Sequence, residues 1–87
     1  MPFHVYVLRS RTGRRYIGQT ENLQRRLREH NEGRNHATKH DTQWKLLYAE
    51  SYQTRRDAMK RERWLKSGAG RDWLRKNIAG WSPPQAE

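Results

Sequence analysis

Cysteine is absent from all 87 residues, which excludes disulfides and thiolate zinc sites and fits a reducing cytoplasm. Long hydrophobic runs are absent too. The apolar stretch Val5 to Leu8 falls far short of the ~20 residues that a membrane-spanning helix needs, and no signal-peptide pattern opens the chain. A membrane partner is therefore not expected, and a cytoplasmic location is. Apolar residues are scarce in general, at 32%. The core must be thin, with four tryptophans, four tyrosines and the leucines supplying most of the buried area at ~150–250 Å² per aromatic. No internal repeat is visible, and the length suits one domain of residues 1–81 followed by a short tail.

Acidic residues are also few, with 9 Asp plus Glu against 19 Lys plus Arg and a formal charge of +10. A polyanionic partner is the simplest reason to tolerate that self-repulsion. Arginine outnumbers lysine 14 to 5, and its planar fork suits bidentate phosphate contacts and stacking on bases. Nucleic acid leads the candidates. A basic protein that is merely soluble is the bland alternative. The cations are spread over the chain rather than along one amphipathic helix, which disfavours a membrane surface.

Phe3 to Arg9 and Arg15 to Gly18 read as strands joined through the loop Ser10-Arg11-Thr12-Gly13-Arg14, a β-hairpin. Alternation puts Val5 and Val7 on one face and His4, Tyr6 and Leu8 on the other. Thr20 or Asn22 can cap a helix running to about Asn31, stopped by Gly33, with Leu23 and Leu27 as its buried stripe and Arg26 and His30 bordering it. A polar loop from Glu32 to Thr42 follows. Trp44 to Tyr52 reads as the next strand, with Trp44, Leu46 and Tyr48 on one face and Leu47 on the other. Thr54 and Asp57 resemble a capping box opening a helix with Ala58, Glu62 and Leu65 on one face, ended by Ser67-Gly68-Ala69-Gly70. A third helix covers about Arg71 to Ile78. The tail at 82–87, with Pro83-Pro84, is expected to be disordered. The order β-β-α-β-α-α predicts an α+β fold, a small three-stranded sheet flanked by helices.

Glu62 is the most informative acidic residue, because its helix aligns it with Ala58 and Leu65. A carboxylate there needs either an arginine partner or a metal ion. Mg²⁺ binds through one or two carboxylates plus water and substrate phosphate, so one glutamate is an adequate anchor. Tyr6 and Tyr16 sit on the two arms of the hairpin, where pairing could bring both hydroxyls to one site, although strand tyrosines ordinarily serve packing. Arg26 and His30 could equally be a solvated helix face. His36 and His40 have H-x3-H spacing, but in a loop that spacing does not make a zinc site.

Taken together, His4-Val5-Tyr6, Tyr16-Ile17-Gly18, Arg26 with His30, and Glu62 resemble the GIY-YIG nuclease superfamily in order and spacing. The resemblance covers about Phe3 to Leu65. It looks closest to small stand-alone members similar to the nuclease domain of the ABC excinuclease, while Arg25-Arg26 to His30-Asn31 is also similar to Holliday-junction nucleases. The run from Lys60-Arg61-Glu62-Arg63 to Gly70-Arg71 looks like a hallmark of the small members. The resemblance implies an antiparallel sheet with the two tyrosines, the arginine and a metal-binding Glu62 around one shallow basic site. His4 and Val5 stand where the first motif has glycine and isoleucine. An asparagine common after the glutamate has no secure counterpart, Asn77 being the candidate.

On that basis the expected activity is a metal-dependent endonuclease hydrolysing DNA phosphodiesters in repair or recombination. It would use one Mg²⁺ or Mn²⁺ on Glu62 and act on branched or damaged duplex DNA, with a partner protein in a repair complex. Arg26 would bind phosphate oxygens in the transition state. Tyr16 would be general base, its phenol (unperturbed pKa ~10) helped by nearby positive charge. His30 would relay a proton or polarise the tyrosine, and Tyr6 would orient the water or Tyr16, with the two tyrosine roles open to exchange. Arg25, Arg61, Lys66 and Arg71 are further phosphate contacts, and a Gly68-to-Gly70 turn could offer backbone N–H groups to phosphate. The rival readings are a non-catalytic nucleic-acid-binding module and an adaptor protein with the same fold.

Overall fold

The structure is a computed structural model and describes residues 2–81. The expected disorder of residues 82–87 lies outside the described residues. Three strands, β1 (Phe3–Arg9), β2 (Arg15–Thr20) and β3 (Lys45–Tyr52), and three helices, α1 (Leu23–Asn31), α2 (Arg55–Leu65) and α3 (Gly68–Asn77), follow the order β-β-α-β-α-α. The sheet is antiparallel with strand order β2-β1-β3. β1 is therefore central and covered on both faces, which is why four consecutive residues, Val5 to Leu8, are all buried. A strand with one wet face would alternate instead.

The two faces carry separate cores. Val5, Val7 and Ile17 pack with Ala58, Leu65, Leu74 and Trp81 on the α2–α3 side. Tyr6, Leu8 and Trp44 pack with Tyr16, Leu23 and Leu27 on the α1 side. Helix starts follow local chemistry. The Asn22 side chain accepts from the Arg25 N–H at 3.0 Å and the Thr54 hydroxyl from the Asp57 N–H at 3.1 Å, each satisfying an orphan donor of the first turn. Gly33 takes φ +75 just past α1, in the left-handed region that glycine enters without cost.

Two sequence expectations fail in detail. Trp44, Leu46 and Tyr48 do not share a face. The ladder pairs Val7 with Tyr48 but Leu8 with Leu46, so β3 carries one extra residue and its alternation reverses there. Trp44 joins the Tyr6–Leu8 core, Tyr48 and Leu47 join the opposite core, and Leu46 is exposed. Nor does a loop precede α3 at Arg71. Ser67 caps a helix that already begins at Gly68, its hydroxyl accepting from the Gly70 N–H at 3.2 Å. A Cβ on Gly70 would fall 2.0 Å from the Trp64 carbonyl oxygen, so glycine permits α3 to start directly against the last turn of α2. The Gly70 N–H that could have met phosphate is already taken by Ser67.

Candidate active site

Tyr6 stands opposite Gly18 in the β1–β2 ladder, and that pairing organises the site. A Cβ on Gly18 would lie 2.7 Å from Tyr16 Cε2 and 2.8 Å from the Tyr6 hydroxyl, so both tyrosine side chains occupy the space a larger residue would fill. Their ring centroids are 6.1 Å apart. Leu23 and Leu27 hold α1 against this face, which brings His30 and Arg26 over the tyrosines. The His30 ring lies 4.8 Å from that of Tyr16, and its Nε2 shares a 2.9 Å hydrogen bond with the Tyr6 hydroxyl.

His30 is fully buried. Burial first, and the neighbouring Arg26 charge second, push its pKa down to about 4, so the ring is neutral near pH 7 with one donor and one acceptor nitrogen. Nδ1 is engaged by the Thr38 hydroxyl at 2.7 Å. Thr38, itself buried, belongs to the segment between α1 and β3, and its carbonyl accepts from the Trp44 indole at 3.3 Å. That segment is also fastened to the hairpin loop. Asp41 accepts from Ser10 Oγ at 2.6 Å and from the Thr12 hydroxyl, and these two bonds hold its carboxyl below the usual range.

The Tyr6 hydroxyl is pushed well above its ordinary pKa by burial, with the adjacent Arg26 guanidinium opposing. Tyr6 is only 1% exposed, whereas Tyr16 is half-buried and lines a groove of about 480 Å³. Arg14, Lys66 and Arg71 line the same groove. Arg26 donates to Glu29 at 3.0 Å and remains partly open, while Arg25 projects to solvent with 61% of its side chain exposed.

Glu62 sits at the border of the buried face of α2, between Ala58 and Leu65 on one side and solvent on the other. Its Oε2 accepts from Lys66 Nζ at 2.7 Å, so the partner is a half-exposed lysine one turn on and not an arginine. Gln19, Met59, Arg63 and Lys66 line the cleft beside it. The Gln19 side-chain oxygen is buried without a hydrogen-bond partner. A carboxylate and an unsatisfied amide oxygen are hard donors of the kind Mg²⁺ and Mn²⁺ accept. Among the described residues no three His, Cys, Asp or Glu side chains converge, so Glu62 is the anionic donor in this cleft. Asn77 lies at the end of α3, its amide donating to the Trp73 carbonyl at 2.8 Å.

Arg61 is not available to phosphate. It forks onto Glu50 through Nε and Nη2, both at 2.9 Å, and stacks on Trp64 and Trp73 at 4.6 and 4.8 Å. Tyr48 and Tyr52 donate to the same carboxylate at 2.5 and 2.6 Å. Burial alone would raise the Glu50 pKa, but the Arg61 and tyrosine bonds together lower it, and burial with the Glu50 bond pushes Tyr52 up to about 12. The residue next to Glu62 in sequence thus ties β3 to α2, because successive helix positions point about 100° apart.

The His30 burial carries a stability prediction. Its folded pKa lies below its unfolded value of about 6.5, so between the two the unfolded chain binds more protons and stability falls with acidification. Melts should lose roughly 3 kcal/mol between about pH 6.5 and 4, and His30→Gln should flatten that window. Glu29 and Glu50, held below their unfolded value of 4.5, add to the loss only at the acid end of that window. An unchanged slope in the variant would show that His30 takes up its proton equally in the folded and unfolded chain.

A hairpin and an α1 arginine and histidine around two tyrosines, with a glutamate on the helix beyond β3, define a nuclease-type domain. The chain belongs to the GIY-YIG catalytic domain family, whose model matches residues 2–76. Its similarities are to UPF0213 proteins: 41% identity over 64 residues to one from Bacillus licheniformis, covering 72% of this chain and 66% of that protein, and 39% to one from Halobacterium salinarum, covering 72% and 83%. The match thus spans just under two thirds of the Bacillus licheniformis protein. The solution NMR structure of the UPF0213 protein BH0048 from Bacillus halodurans superposes with a TM-score of 0.54 at 25% identity, covering 87% of this chain and 84% of that one.

Proposed function

We propose that this protein is a divalent-metal-dependent endonuclease that hydrolyses DNA phosphodiester bonds in repair or recombination, acting in the cytoplasm on branched or damaged duplexes with a partner protein. One observation carries the reading. Tyr6, Tyr16 and His30 are in mutual contact with Arg26 beside Tyr6, Tyr16 opens onto a groove lined by cations, and Glu62 lies in a cleft that shares Lys66 with that groove. Cations for a phosphate, a base for water and a carboxylate for a metal are the three parts that phosphodiester hydrolysis needs.

The roles follow from access. Tyr16 borders the groove and is the general base, with Arg26 supplying nearby positive charge. Tyr6, buried and bonded to His30, positions Tyr16 and the attacking water. His30 holds the Tyr6 hydroxyl in place and is itself oriented by Thr38. Arg26 binds the non-bridging oxygens as charge develops on them. Glu62 would hold one Mg²⁺ or Mn²⁺, with Gln19 lining the same cleft. When bound, the ion would neutralise phosphate charge and stabilise the leaving oxygen. Lys66 and Arg71, which line the groove, and the exposed Arg25 of α1 would contact flanking phosphates.

The rival reading, a binding module or adaptor that cuts nothing, draws on the Lys66–Glu62 pair, which a protein without need of metal would keep. Incubating labelled branched and linear DNAs with the protein in Mg²⁺ and in Mn²⁺, beside a Glu62→Ala control, separates the two. Cleavage by the wild type alone supports the enzyme, and binding without Glu62-dependent cleavage supports the module. Affinity itself should fall steeply with salt. Four phosphate contacts predict a slope of log K against log salt of roughly −3 to −4, and a flat dependence would remove nucleic acid as the partner.

A further inference from the structure

Among the described residues, Lys66 is the one that lines both the tyrosine groove and the Glu62 cleft. Its ammonium is 2.7 Å from Glu62 Oε2, with 49% of the lysine and 20% of the glutamate side chain exposed. The lysine follows the last residue of α2, and its four-carbon stem can swing without disturbing the helix. An ammonium on a carboxylate occupies the position that a hard cation would claim, and a divalent ion outcompetes it in charge. A half-exposed lysine–carboxylate pair one turn apart is also weak enough to be displaced.

We propose that Lys66 is a resident counter-ion of Glu62 that a divalent cation displaces into the groove, where its ammonium meets a nucleic-acid phosphate, so that metal binding and nucleic-acid binding reinforce one another. This rests on the reading of Glu62 as a metal anchor. In the metal-free protein the lysine borders the groove but its ammonium is held on the carboxylate, which neutralises its charge. With the cation bound, the carboxylate no longer needs it and the groove gains a positive charge. Reciprocity then requires nucleic acid to tighten metal binding by the same factor as metal tightens nucleic acid. Arg63 lines the same cleft without bonding to Glu62, so its removal reports the general field alone.

The test titrates Mn²⁺ calorimetrically into wild type, Lys66→Met, Arg63→Met and Glu62→Gln without DNA. It then measures affinity for a labelled DNA by fluorescence anisotropy with and without Mn²⁺, in a Tyr16→Phe background that keeps the DNA intact. Lys66→Met should bind Mn²⁺ about two- to five-fold more tightly than wild type, the size of the competition lost, and Arg63→Met less so. Mn²⁺ should tighten DNA binding less in Lys66→Met than in its parent, because the variant has no ammonium to release into the groove. Equal gains in Mn²⁺ affinity for Lys66→Met and Arg63→Met, or an undiminished Mn²⁺ effect on DNA binding, would overturn the displacement while leaving the metal site standing. Mn²⁺ binding that Glu62→Gln does not reduce would overturn the metal site and the displacement together.

Discussion

Glu62→Gln is expected to cut cleavage by about 10²–10³-fold or more, the scale on which removing a principal electrostatic group at a reacting centre acts, while leaving the fold intact. DNA binding in EDTA should be unchanged or slightly tighter, because one negative charge near the phosphate is gone. Stability distinguishes this from a structural role. A carboxylate buried against an arginine would cost roughly 3–5 kcal/mol when its partner is left unpaired. The observed partner is Lys66, with 49% of its side chain exposed, and such pairs are worth about 0.2–1 kcal/mol. Thermal melts without metal should therefore differ little between wild type and variant, while the response to added Mg²⁺ or Mn²⁺ should disappear. Marked destabilisation with an intact metal response would make Glu62 an ion-pair residue and remove the proposed site.

The second large effect falls on Arg26. Its guanidinium lies beside the buried Tyr6 hydroxyl and donates to Glu29, whereas the neighbouring Arg25 points to solvent and touches Glu29 only at 3.8 Å. Lysine keeps the charge but loses the planar fork. Arg26→Lys should lose cleavage by about 10²-fold or more, and Arg25→Lys should stay within a few-fold of wild type. The comparison is made as single-turnover rates with saturating DNA, so that weaker binding does not pass for slower chemistry. Equal rates for the two variants would remove Arg26 from the reacting centre.

Where the sequence succeeded, the signals were local. The Val5/Val7 and Tyr6/Leu8 division follows from a two-residue period that any strand obeys, and Asn22 and Thr54 act as caps through their own side chains. Gly18 was legible in principle, since an isolated glycine in a strand marks a close approach. Its reason, two tyrosine side chains crossing the missing Cβ, is visible only in three dimensions. The reversal in β3 was not legible, because an extra residue is set by what the partner strand and the two cores require and leaves no mark on its own composition.

Arg61 and Glu62 show the division most clearly. Adjacent on one helix and both charged, they are separated by about 100° of helix rotation, and only the packing of α2 across the sheet decided that one would seal β3 to two tryptophans while the other reached the site edge. Thr38 likewise sat in a polar loop with nothing to distinguish it from Thr42, until the loop was folded over His30. By itself the sequence determined the elements, their order, the charge and the residue types capable of phosphodiester chemistry, because these depend on neighbours within a turn or a strand. The tertiary structure alone decided which charges are spent on the fold, which tyrosine is buried and which lysine holds the glutamate, because burial and pairing across elements arise from contacts that no local pattern encodes.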